Sequence, residues 1–212
     1  MIKIRCSSLS KIMPEPKTKA EGVLSVGAKT YLKDLAKQIV YDYTDCFSSK
    51  ETEKGNRCEN DSIALYNLVF LTDAIKNTER RTDDFLTGEC DIILPHKGVD
   101  TKTSWSIATF PALSEDCDKT EYEWQARGYM RLWNVPEWEV AFCLVNTPDD
   151  LIRYEPVHLH SVGHIPPHMR VTVVSYERDM VKEARMIEKV KAAQVYVMEC
   201  IAKIKREHGD YE

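Results

Sequence analysis

Asp91, Asp100 and Lys102 are the residues whose types and spacing first suggest chemistry. They flank the turn-prone Pro95-His96-Lys97-Gly98, between the short runs CDIIL and VDTKTSW, a pattern that predicts a β-hairpin within Thr82 to Trp105. A four-residue turn there would set Leu94 opposite Val99, Ile93 opposite Asp100 and Asp91 opposite Lys102. Side chains alternate along each strand, so all three charged groups would share one face. Two carboxylates aimed at one point suit Mg²⁺, a hard ion that takes one or two carboxylates and completes its shell with water and phosphate oxygens. The lysine adds a donor beside that water. Alone, an Asp–Lys pair across two strands is an ordinary contact worth about a few tenths of a kcal/mol, so the reading depends on further pieces. Glu59, in KGNRCEND, is a third carboxylate. Gln125, Tyr129 and Trp133 stand at i, i+4 and i+8, one stripe of a helix. Such a stripe either holds a phosphate and stacks on a base or packs into a core with a polar edge.

These residues need elements to position them. Leu32, Leu35, Ala36, Ile39, Val40 and Tyr43 predict a helix over Thr30 to Tyr43. A second is predicted from about Glu53 to Phe70, carried by Ile63, Tyr66, Val69 and Phe70 and continued through Cys58. Glu121 to Trp133 reads as a third. Val140 to Val145, Leu151 to Val157 and Val171 to Tyr176 are strand candidates, which makes the chain mixed α/β. Residues 1–28, which mix the polar start SSLSKIM with PEPKTKAEG, read as a partly loop-like N-terminal segment. From Glu177 to His208 there is neither Gly nor Pro, and Ile187, Val190, Val197, Ile201 and Ile204 keep helical spacing. A long closing helix over 177–208 follows. Its eight basic and eight acidic residues from Glu177 to Glu212 describe a solvated face rather than a nucleic-acid arm.

The 212 residues suit a single domain, and 43% hydrophobic with 30% charged residues is the composition of a packed globular protein. No apolar run approaches the roughly 18 residues of a membrane span, and MIKIRCSSLS is not a secretory leader, so a cytoplasmic location is expected. The seven cysteines form no CxxC pair, which points to reduced thiols and removes zinc ribbons and cysteine-held iron–sulfur clusters. A net charge of -5 gives no bulk attraction to nucleic acid, so any such contact must rest on a local site. His158, His160, His164 and His168 have spacing that could bind Zn²⁺, but Gly163, Pro166 and Pro167 mark a polar connection between strands. Cys90 should face away from Asp91, into the core. Of Trp105, Trp124, Trp133 and Trp138, Trp105 is the candidate base-stacking residue because it follows Lys102.

The order G-x3-E-N-D, G-x2-D, D-x-K-T and Q-x3-Y resembles the PD-(D/E)xK nuclease superfamily, and within it the phage lambda-type (YqaJ-like) recombination exonucleases. The resemblance covers about Ser7 to Trp133 and is strongest at Gly55 to Asp61 and at Gly88-Glu89-Cys90-Asp91 with Asp100-Thr101-Lys102. It implies a central mixed β-sheet flanked by helices and Mg²⁺-dependent hydrolysis at the ends of duplex DNA, with Mn²⁺ a plausible substitute. Asp91, Asp100 and the Thr101 carbonyl would hold metal, Glu59 would support a second ion or its water, and Lys102 would orient the attacking water. Gln125 and Tyr129 would position the metal site and the substrate backbone. A structure-specific or restriction-like endonuclease, and an inactive DNA-binding module, are the alternatives. The family usually has Glu where Asp100 stands, one methylene longer. Its Trp and Arg before an ITAS-like, phosphate-holding segment are replaced by KIRCSS, where Ser7 matches and Arg5 sits at another offset. The resemblance also implies a single-strand annealing partner, 5′ to 3′ digestion, and a ring-like homo-oligomer, a trimer, with Lys11 and Lys17 on its inner surface.

Overall fold

The computed structural model describes residues 2–44, 49–117 and 119–209, so Cys46 lies outside the described residues. Two mixed sheets are present. In the first, β1 (Ile4–Arg5) runs parallel to β3 (Leu86–Glu89), which pairs antiparallel with β2 (Arg80–Thr82). The second has the order β4 (Ile92–Ile93), β5 (Lys97–Thr103), β6 (Glu137–Cys143) and β7 (Val171–Glu177), with β5 and β6 parallel and the other pairs antiparallel. Parallel neighbours need a crossover, and α5 (Thr120–Trp133) lies within it.

Residues on β6 alternate between two cores. Trp138, Val140 and Phe142 join the larger cluster with α5 and α7 (Met180–His208), while Ala141 and Cys143 pack with Ile63 and Tyr66 of α4 (Glu59–Phe70). The central strands are thus covered on both faces, as parallel pairing requires. Gly98, the second residue of β5, lies against Trp138, where a Cβ would come within 2.0 Å of the indole ring, so only glycine fits. On α2 (Val26–Val40), Ala28, Leu32, Ala36 and Val40 recur every fourth residue and pack on α7, whose buried spine is Met186, Val190, Ala193 and Val197. Burying one such leucine stabilises the fold by roughly 2 kcal/mol. The Ser25 hydroxyl caps α2 by accepting from the Ala28 N–H at 3.2 Å, and Asp179 caps α7 through the Val181 and Lys182 N–H groups.

Three expectations are corrected. The N-terminal segment is built structure: β1, a 3-10 turn over Cys6–Ser8 and α1 (Leu9–Ile12) bury Ile4, Cys6, Leu9 and Ile12. Each piece is too short to show a period, and α7 fixes the segment from outside. The Lys189 ammonium donates to the Met13 and Pro14 carbonyls at 2.8 and 2.9 Å, and the Gln194 amide donates to the Ile2 and Asp84 carbonyls at 2.7 and 3.1 Å. The second predicted helix is two, α3 (Lys50–Arg57) and α4, parted at Cys58. Leu151 to Val157 is not a strand. Asp149 and Asp150 open a short helix, α6 (Asp149–Ile152), after Pro148; Arg153 has φ +54° and Pro156 removes a donor. Among the described residues no helix is long and apolar enough to cross a membrane.

Candidate active site

The hairpin turn is tighter than the spacing suggested. Ile92 pairs with Val99 and Ile93 with Gly98, and the Leu94 N–H donates to the Lys97 carbonyl at 2.8 Å. This register sets Asp91 level with Asp100, not with Lys102. The difference is two residues on β5, and a two-residue step leaves every side chain on its original face. Asp91, Asp100 and Lys102 therefore still line one open cleft of about 740 Å³.

Asp100 is 4% exposed, and its Oδ2, without an aligned hydrogen bond, has the Lys102 ammonium 2.5 Å away. Asp91 Oδ2 accepts from the Thr101 N–H at 2.6 Å and the Thr101 hydroxyl at 2.8 Å. Burial and then the Asp100 charge push the Asp91 carboxyl up to about 7, against the Thr101 hydrogen bonds and Lys102. Burial opposes the charge on Lys102, but the two aspartates outweigh it and hold the ammonium above its ordinary range. A pair of carboxylates held this close is strained by mutual repulsion, which a divalent cation would relieve. Among the described residues no three His, Cys, Asp or Glu side chains gather to hold an ion. The donor set therefore fits an ion that takes two carboxylates and fills its shell with backbone, water or phosphate oxygens, which describes Mg²⁺ better than Zn²⁺.

Glu59, in the first turn of α4, lines the same cleft and pairs with Lys76. From α5, the Gln125 amide approaches Asp100 Oδ1 at 3.5 Å and donates to the Tyr129 hydroxyl at 3.2 Å, which donates to the Glu89 carbonyl at 2.9 Å. Tyr129 is only 4% exposed, so it supports the site from beneath instead of offering a face to DNA. Gly88 lies over its ring, where a Cβ would come within 2.6 Å of Tyr129 Cε1. That explains the glycine three residues before Asp91. Trp105 also departs from expectation. It is 8% exposed, its indole N–H donates to Glu155 at 2.9 Å, and Lys50 and His160 lie against its ring, so it is no free stacking platform.

Arg5 and Ser7 come together in a neighbouring cavity of about 270 Å³, which shares Glu89 and Tyr129 with the main cleft. The same cavity holds Arg80, which the sequence reading missed; the Arg80-Arg81 pair beside a strand was its one signal. Lys54 was missed as well. It is fully buried on α3, and its ammonium donates to the Ser104, Trp105 and Val145 carbonyls at 2.7, 2.9 and 2.9 Å, fastening α3 to the chain that leaves β5. Burial lowers its pKa to about 8. Of the four clustered histidines His160 is buried between Thr147 and Glu155, and the other three are exposed in a loop of short turns, as a polar connection requires. Cys90 is buried in the core, and burial pushes its thiol up to about 12.

A mixed sheet presenting a D-x8-D-x-K set from a hairpin, backed by a Q-x3-Y helix, defines the PD-(D/E)xK class of nuclease folds. The chain is 37% identical to a phage-related exonuclease from Haemophilus somnus 129PT, over 96% of each chain and with a TM-score of 0.90. It belongs to the phage lambda-type (YqaJ-like) recombination exonuclease family. An alkaline exonuclease from Laribacter hongkongensis has the same fold at 16% identity, over 97% of this chain and 92% of its own, with TM-score 0.68; its complex with dAMP gives 0.69. No family profile matches the chain, and no curated protein does.

Proposed function

We propose that this protein is a metal-dependent exonuclease that digests double-stranded DNA from its ends, 5′ to 3′, in phage-type homologous recombination. The observation that carries the reading is the gathering of Asp91, Asp100 and Lys102 in one open cleft, with the ammonium 2.5 Å from the buried Asp100 carboxylate. Asp91 and Asp100, with the Thr101 carbonyl and with Glu59 toward the water shell, would hold Mg²⁺ or Mn²⁺. When bound, the cation supplies charge stabilisation to the phosphoryl oxygens. The chain's own residues do the rest. Asp91 is fixed by Thr101, Asp100 is steadied by Gln125, and Lys102 orients the attacking water and faces the charge that builds during displacement. The Arg5, Ser7 and Arg80 cavity would take a terminal 5′-phosphate through charge-assisted hydrogen bonds. The protein would work in the cytoplasm as a ring-like homo-oligomer, a trimer enclosing DNA, beside a single-strand annealing protein. Light scattering tests the assembly, and a monomeric mass counts against it.

The decisive experiment incubates linear duplexes labelled at the 5′ or the 3′ end, and a covalently closed circle, with and without Mg²⁺. Loss of label from the 5′ end with an intact circle is the expected result. Cutting of the circle would make the protein an endonuclease of the same superfamily, and no digestion at all would leave an inactive DNA-binding module.

A further inference from the structure

The side chains lining the cleft carry five carboxylates, Glu51, Glu59, Glu89, Asp91 and Asp100, against two ammonium groups, Lys102 and Lys119. Lys102 is occupied by Asp100. Lys119 is exposed and, among the described residues, has no carboxylate within ion-pair distance. It is also placed where stability alone would not put it. Lys119 is the N-cap of α5 and makes no side-chain cap hydrogen bond there, although the start of a helix favours Ser, Asp or a negative charge and disfavours a cation. Its ammonium lies 5.9 Å from the centre of the Tyr122 ring, and that of Lys102 lies 5.3 Å from the same centre. Tyr122 is itself braced edge-on against Phe142, the strand partner of Lys102, with ring centres 5.4 Å apart. The two ammonium groups thus flank one ring of the cleft lining, and of the two only that of Lys102 is held by a carboxylate among the described residues.

We propose that Lys119 is a phosphate-binding residue of the cleft, holding the DNA backbone beside Lys102 and supplying the free positive charge that the carboxylate-rich lining lacks. This rests on the nuclease reading and adds a division of labour: Lys102 acts in turnover, Lys119 in capture.

The test is fluorescence anisotropy of a labelled linear duplex with the full-length protein in Ca²⁺, across a range of KCl concentrations. Lys119→Ala should weaken binding by roughly tenfold and lower the slope of log affinity against log salt by about one, as loss of one phosphate contact does. Lys119→Arg should restore both. In Mg²⁺ the Lys119→Ala loss should appear in the KM for DNA, whereas the Lys102→Ala loss appears in kcat. Lys203, 72% exposed on α7, serves as a charge control, and Lys203→Ala should leave the slope unchanged. An unchanged slope in Lys119→Ala, or an equal fall in Lys203→Ala, overturns the proposal while leaving the nuclease reading intact. A wild-type protein that binds no duplex overturns both.

Discussion

Lys102 and Asp91 should fail in different ways when removed. Lys102→Ala keeps both carboxylates, so it should bind duplex DNA in Ca²⁺ near the wild-type level while turnover falls by roughly two orders of magnitude or more. Digestion at the wild-type rate would reduce the pair to an ordinary ion contact. Asp91→Ala removes a charge that a divalent ion would need, and should also abolish the rise in Tm expected when Mg²⁺ is added to the wild type. The Asp91 shift gives that rise a pH dependence. Its folded-state value near 7 lies above the ordinary carboxylate range, so the metal-free protein holds the proton that the unfolded chain has lost. Stability of the metal-free form should therefore fall as pH climbs from about 4 to 7, and the Tm gained on adding Mg²⁺ should be larger at the upper end. Scanning calorimetry at both limits checks it. That Asp91, Asp100 and Lys102 share one face was legible from sequence because strand alternation survives an even error in register. Tyr129 and Trp105 are more buried than the DNA contacts expected of them imply, because helical and neighbour spacing identify a stripe without saying whether it faces solvent or core.

Elements are held to the site by contacts that spacing does not reveal. β3 crosses α5 at Gly88, and Gly88→Ala would push Tyr129 aside and with it the Gln125 amide that approaches Asp100. A displacement on the order of 1 Å should cost about a hundredfold in rate. A variant that loses Tm yet digests normally at low temperature would show that the Tyr129 chain does not position the site. α3 is anchored through Lys54, and Lys54→Met leaves the buried Ser104 and Val145 carbonyls without the ammonium and the Trp105 carbonyl with the Thr147 hydroxyl alone. Urea unfolding should show a loss of roughly 3 kcal/mol. The long periodic helices α2, α5 and α7 could be read from sequence, since their buried faces repeat over many turns. The break at Cys58 could not. It lets α3 aim Lys54 at the exit of β5 while α4 starts afresh with Glu59 in the cleft, and that demand comes from residues some fifty positions away.

At the scale of the whole molecule, an acidic chain with an acidic cleft that works as proposed would draw DNA only at a few points and through bound cations, so its activity should be unusually sensitive to chelators and to salt. The mixed α/β class and the closing helix were predictable from pattern. The role of that helix was not, because it depends on partners almost two hundred residues away. Lys189 and Gln194 tie down Met13, Pro14 and Ile2, and Ile4 and Arg5 then form the strand that flanks β3 on the way to Asp91. Translation makes these partners at opposite ends of its timetable. A nascent chain stalled after residue 179 has every residue proposed for catalysis but nothing to clamp its first strand, and long-range closures of this kind come late in folding. Such stalled chains should leave linear DNA uncut, and release of the complete chain should switch digestion on. The order of synthesis would then keep the enzyme harmless on the ribosome.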